Sequence, residues 1–127
     1  MLGQRKRYME RNENVCALAE GFSMSAKMLT AIGDETRRHL ILEMMKMEDC
    51  NGARVGDIAE QTNLSRPTVS HHLQIMKDAG IIKMRKEGTK NYYYCDPEME
   101  AFERLISTLQ LAMTIAKGLP DRSGENR

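Results

Sequence analysis

Tryptophan is absent from this sequence and phenylalanine occurs only twice, so these two residue types carry little of the core. Eleven methionines are available instead, and their unbranched, polarizable chains suit an adaptable core better than a dedicated thioether site. No apolar stretch is long enough for a signal-peptide core or a membrane span, and residues 1–11 are polar and basic, so a cytoplasmic chain with no membrane partner is expected. Only three cysteines occur, Cys16, Cys50 and Cys95, odd in number, widely spaced and without a C-x-x-C pair, which argues against a disulfide scaffold. Glycine-rich phosphate loops are missing, and no Ser/His/Asp, Cys/His or paired-carboxylate arrangement has a supporting context. Neither an enzyme nor a cofactor is expected. An excess of one charge is also missing, since the net charge is only +1.

That small total hides segregation along the chain. Residues 66–90 hold six basic side chains against Asp78 and Glu87, and residues 1–11 hold Arg5, Lys6, Arg7 and Arg11 against Glu10. A basic face on a near-neutral protein follows, as nucleic-acid binding requires. With 127 residues the chain suits one domain.

Val55 to Gly80 is the stretch around which the rest is arranged. It reads as two short helices joined by a tight turn. Ile58 and Ala59 face inward on the first helix. Asn63, which tolerates positive φ, reverses the chain without a glycine while Leu64 fills the gap. Ser65 caps the second helix and Pro67 occupies its first turn, where no N–H is needed. Val69, Leu73 and Met76 form the buried stripe, leaving Arg66, Pro67, Ser70, His71 and Gln74 on the opposite face near the N-terminus. That is the end a recognition helix presents to base edges in the major groove. Gly80 is placed to end the helix.

Two strands, 81–85 and 91–95, are predicted around a tip of Lys86, Glu87, Gly88, Thr89 and Lys90. The expected fold is therefore mainly α, a winged helix-turn-helix with a two-stranded hairpin wing and dimerisation helices at both ends. Lys83, Arg85, Lys86 and Lys90 give the wing positive charge for phosphate or the minor groove. Tyr92 and Tyr94 share one side of their strand and Tyr93 the other, as core packing of the wing would have it.

Residues 1–12 are read as a disordered basic arm, 13–118 as the DNA-binding and dimerisation domain and 119–127 as a disordered tail. Apolar positions from Val15 to Ile32 suit a helix broken near residues 21–25. Asp34 caps the next helix, with Leu40, Ile41, Met44 and Met45 as its stripe, and Ala53 to Val55 can add a short strand to the wing. Asp96-Pro97-Glu98 opens a terminal helix, 97–117, whose stripe includes Phe102, Leu105, Ile106, Leu109, Met113 and Ala116. This exceeds the apolar surface a small domain needs, so pairing with its copy in a second subunit, together with the N-terminal helix, is expected.

Two segments carry a family resemblance. Leu29-Thr30-Ala31-Ile32-Gly33-Asp34-Glu35-Thr36-Arg37 resembles the opening of the ArsR/SmtB winged-helix repressors, and Leu64 to Leu73 resembles their recognition helix. The resemblance covers residues 26–117. It implies a homodimer that represses its own operon and leaves its DNA operator when a ligand binds, with Arg66, Pro67, Ser70 and His71 at base-contacting positions. The full set of candidate DNA contacts is Ser65, Arg66, Pro67, Thr68, Ser70, His71 and Gln74 on helix 66–79, and Lys86, Thr89 and Lys90 in the wing, 83–93. Metal ligands depart from the family's pattern. Its arsenic-binding C-V-C aligns with Arg54 and Gly56, and the Asp and His pairs of its terminal helix have no counterpart, because no histidine follows His72. His71 and His72 point about 100° apart on a helix and do not form a metal pair, so no metal site is assigned.

Three alternatives remain open in the sequence. The cysteines are expected to be buried and inert, yet thiolates of Cys16 and Cys50, or Cys95, could bind arsenite or oxidise. The winged helix could also serve as a protein-interaction module. The effector stays unknown.

Overall fold

The computed structural model describes residues 2–47 and 51–124 and contains six α-helices and one hairpin. They fall into two compact units: Ala26–Ala101, and a second unit formed by α1 (Leu2–Met24) with most of α6 (Met99–Lys117).

The unit Ala26–Ala101 contains α2 (Ala26–Ile32), α3 (Glu35–Lys46), α4 (Val55–Thr62), α5 (Arg66–Asp78), β1 (Ile82–Glu87) and β2 (Lys90–Cys95). Its core is aliphatic and thioether, with Ala31, Leu40, Ile58, Val69, Leu73, Met76 and Ile82 all buried. Each large member contributes about 1.5–3 kcal/mol by leaving water. The local rules hold where they were expected to act. Asp34 accepts a hydrogen bond from the Arg37 N–H at 2.9 Å and caps α3. Asn63 turns the chain at φ 59, and the N–H of Leu64 returns to the Ala59 carbonyl. Gly80 takes φ +80, with its own N–H on Lys77 O and that of Ile81 on Met76 O. This pair of bonds is the Schellman closure, which needs a residue free to enter the left-handed region.

Strands β1 and β2 pair antiparallel from Ile82↔Cys95 to Glu87↔Lys90. Only Gly88 and Thr89 lie between them, so the expected five-residue tip is corrected to a two-residue turn. Gly88 has φ +63 while Thr89 does not enter positive φ, which matches a type II′ turn with glycine at its first central position. Ala53 exchanges two 2.8 Å backbone hydrogen bonds with Tyr93 and is the single bridging residue of the expected third strand, since Arg54 already caps α4. Tyr93 is buried, while Tyr92 and Tyr94 on the other face lie under the Arg85 guanidinium, 4.9 Å and 6.0 Å from the ring centroids.

Helix α6 starts at Met99, later than the Asp96-Pro97 signal implied. Asp96 pairs with Lys83 at 2.9 Å instead of capping, and the N–H of Glu98 donates to Gly80 O. The expected disorder of residues 1–12 is likewise corrected for residues 2–12, which are helical and continuous with α1. That stretch lacks an apolar stripe but is rich in Gln, Arg, Lys, Met and Glu, all good helix formers. Within this second unit α1 passes close to α6. A Cβ on Gly21 would fall 2.4 Å from Thr108 Oγ1 and 2.9 Å from its Cγ2, and Thr108 is buried. Gly21→Val is expected to cost about 1–3 kcal/mol by overpacking. Thermal unfolding should show partial recovery when Thr108→Ala is added; a Gly21→Val variant as stable as the parent would mean the helices do not meet there.

Candidate nucleic-acid interface

Ser65, at φ −70 and ψ 152, accepts the Thr68 N–H at 3.3 Å and donates its hydroxyl to Thr68 Oγ1 at 2.8 Å. With Pro67 in the first turn, this cap fixes where α5 begins and hence which side chains face outward. Val69, Leu73 and Met76 turn in, so Ser65, Arg66, Pro67, Thr68, Ser70, His71 and Gln74 are all exposed, as are Lys86, Thr89 and Lys90. The fold thus brings the ten candidates to the surface of one unit.

Their hydrogen-bonding capacity is unequal. Ser65 is committed to its cap, and the Gln74 amide donates to Asp78 Oδ1 at 2.9 Å, leaving its carbonyl outward. Arg66 lies back over α4, its guanidinium against the backbone of Gly56. A polar groove of about 330 Å³ joins the start of α4, Arg66 and the wing turn through Arg54, Asp57, Glu60, Thr89 and Asn91. Arg54, Gly56 and Asn91 were not anticipated as part of this surface. The basic character of Arg54 was the one signal available for it.

In the wing, two of the four expected cations are engaged. Lys83 pairs with Asp96, and Arg85 pairs with Glu87 at 2.9 Å, donates to the Asn51 carbonyl and stacks on Tyr92. Exposed pairs of this kind are worth about 0–1 kcal/mol. Lys86 and Lys90 form no ion pair among the described residues, and they flank the turn. Beneath the surface, His72 turns inward beside His71, ring centroids 5.6 Å apart, with its Nδ1 3.3 Å from Nη1 of the buried Arg37.

A family model described as bacterial regulatory protein, arsR family, matches residues 34–84, from the cap of α3 into β1. A relative described as an uncharacterized HTH-type transcriptional regulator of Methanocaldococcus jannaschii is 39% identical over 92 residues, spanning 71% of this chain and 99% of that protein. The chain belongs to the ArsR family. It is a transcriptional regulator with a winged helix-turn-helix DNA-binding fold. The transcriptional repressor SdpR of Bacillus subtilis is 46% identical over 63 residues, covering 50% of this chain and 66% of its own. Among solved structures, the homodimeric winged helix-turn-helix DNA-binding domain Mb0332 of Mycobacterium bovis superposes with a TM-score of 0.53 at 22% identity, covering 86% of this chain and 93% of that one.

The cysteines of this ArsR-family chain are not placed as expected. Cys16 and Cys95 are exposed, which corrects the reading of buried thiols, while Cys50 lies outside the described residues. Cys16 sits on a stretch of α1 whose neighbours are nearly all solvent-facing, and Cys95 ends β2, where the strand leaves its partner. Desolvation still pushes the Cys95 thiol up, so it stays protonated and weakly nucleophilic near neutral pH. No single helix among the described residues is long and apolar enough to cross a membrane.

Proposed function

We propose that this chain is a sequence-specific repressor that binds a double-stranded DNA operator as a homodimer, with α5 in the major groove and the wing, 83–93, on the backbone or minor groove. The observation that carries this reading is the uninterrupted exposed polar face from Ser65 to Gln74, set at the electropositive end of α5. Arg66 supplies the planar donor fork suited to guanine, His71 and Ser70 supply shorter donors and acceptors, and Lys86 and Lys90 neutralise phosphate. Likeness to the repressor SdpR supports the direction of control.

Binding of the full chain to its own upstream region, followed by fluorescence anisotropy across a salt series, tests this. Affinity should fall steeply with salt, with a log–log slope of roughly −0.9 per phosphate contact. Arg66→Ala should lower discrimination at one base pair per half-site by about 5- to 160-fold, corresponding to the roughly 1–3 kcal/mol of a bidentate base contact. Binding that ignores both salt and sequence would point instead to a protein-interaction module.

A further inference from the structure

We infer that Gly56 is a specificity-determining position for DNA, because its bare backbone is the seat that holds the Arg66 guanidinium ready to read a base. This rests on the base-reading role proposed for Arg66. A Cβ built on Gly56 would stand 2.9 Å from Arg66 Nη2, 3.2 Å from Cζ and 3.5 Å from Nε, so the whole guanidinium plane lies across this residue. Nothing in the backbone calls for glycine there. Gly56 is in the first turn of α4, not in the left-handed region, and glycine is among the least favourable residues inside a helix. What its missing side chain provides is room for Arg66.

The recess around this seat is mainly polar, with Val55 its apolar member. Arg54, Asp57, Glu60, Thr89 and Asn91 line it, and the buried Asn91 Oδ1 has no hydrogen-bond partner among the described residues. The groove therefore joins the first helix of the motif, α5 and the wing turn around the Arg66 guanidinium. A long arginine side chain loses rotamer freedom when it is fixed against a base, and a side chain already confined loses less. Filling the seat displaces the flexible end of Arg66 while leaving the backbone undisturbed. The consequence falls on DNA reading and not on folding.

The test compares the full chain with Gly56→Ala, Arg66→Ala and the double variant, measuring affinity for the upstream operator and for duplexes with single base-pair changes. Gly56→Ala should reduce discrimination at the base pair read by Arg66 by about three- to tenfold, with a melting temperature equal to or above the parent's. The double variant should discriminate like Arg66→Ala alone, since the two positions act through one side chain. Unchanged discrimination in Gly56→Ala, or an equal loss on top of Arg66→Ala, would overturn the assignment of Gly56. If Arg66→Ala itself leaves discrimination unchanged, the base-reading proposal fails and this inference fails with it.

Discussion

Arg37→Ala is expected to lower the stability of the winged-helix unit by about 3 kcal/mol or more, the largest effect of any single polar truncation in it. Arg37 is a buried cation, 8% exposed, that forms no ion pair with a carboxylate among the described residues. Its Nε donates to Ala31 O at 2.8 Å and its Nη2 to Thr30 O at 2.9 Å, satisfying carbonyls at the end of α2 that the helix itself leaves open. Its Nη1 reaches His72 Nδ1 on α5, and its own N–H completes the Asp34 cap. One side chain thus joins α2, α3 and α5. Hydrogen bonds to charged groups are worth about 1.5–3 kcal/mol each, and removing the donor strands the acceptors as well. Arg37→Lys should rescue little, because a single ammonium cannot reproduce the planar fork that serves three acceptors. Chemical unfolding of both variants checks this; parent-like stability in Arg37→Ala would remove the guanidinium from its place as a tie between helices.

The same contact predicts a pH dependence. A guanidinium has no lone pair to offer, so His72 must accept at Nδ1 and carry its proton on Nε2. Desolvation holds the His72 pKa below its ordinary value and the Arg37 charge pushes the same way, while the Asp34 carboxylate pulls it up. A histidine depressed on folding favours its neutral form. Its contribution is fully present above the unfolded pKa of about 6.5 and is lost as pH falls below that. Unfolding midpoints should therefore drop between pH 7 and pH 5. His72→Gln, which keeps an acceptor but cannot titrate, should show a shallower drop.

Legibility in the sequence followed how local the physics was. Asn63, Ser65, Pro67 and Gly80 act on backbone groups within a few residues of themselves, so their caps and turns could be read directly, and the buried stripe Val69, Leu73 and Met76 fixed the outward face of α5. The helix over residues 2–12 gives no periodic signal of its own, because the stretch holds a single member, Tyr8, of the seven-residue apolar spacing along α1. Asp96 misled for a different reason: a strong capping residue was taken by Lys83 across the strand, a contact 13 residues distant in sequence. Arg37 and Gly56 were invisible as functional positions. Their roles depend on His72 and Arg66, side chains brought near only after α5 packs on α3 and α4. The helix break expected near residues 21–25 falls at Ser25, between α1 and α2, while the close crossing of Gly21 with Thr108 left no signal in the sequence.

Charging the exposed apolar edge of α6 is expected to abolish the proposed dimer and, with it, most of the DNA affinity. Ile106, Leu109 and Met113 are 53%, 47% and 56% exposed in the single chain and recur at helical spacing on one face. On α1, Tyr8, Val15 and Phe22 repeat at seven-residue intervals and are exposed as well. Two exposed apolar stripes suit the proposed homodimer, in which a second copy would cover both by the self-complementarity of a two-fold interface. Since these side chains are already in water in the monomer, Leu109→Glu with Met113→Glu should leave helical content intact. Joining two half-site contacts raises avidity by roughly 10²–10⁴ without new contacts. Operator affinity should therefore fall by at least about 100-fold as sedimentation shifts from dimer to monomer, while the weak salt-dependent binding of each monomer persists. A doubly charged variant that still sediments as a dimer would place the interface elsewhere. One that becomes monomeric yet binds the operator as tightly as the parent would show that each subunit reads DNA alone.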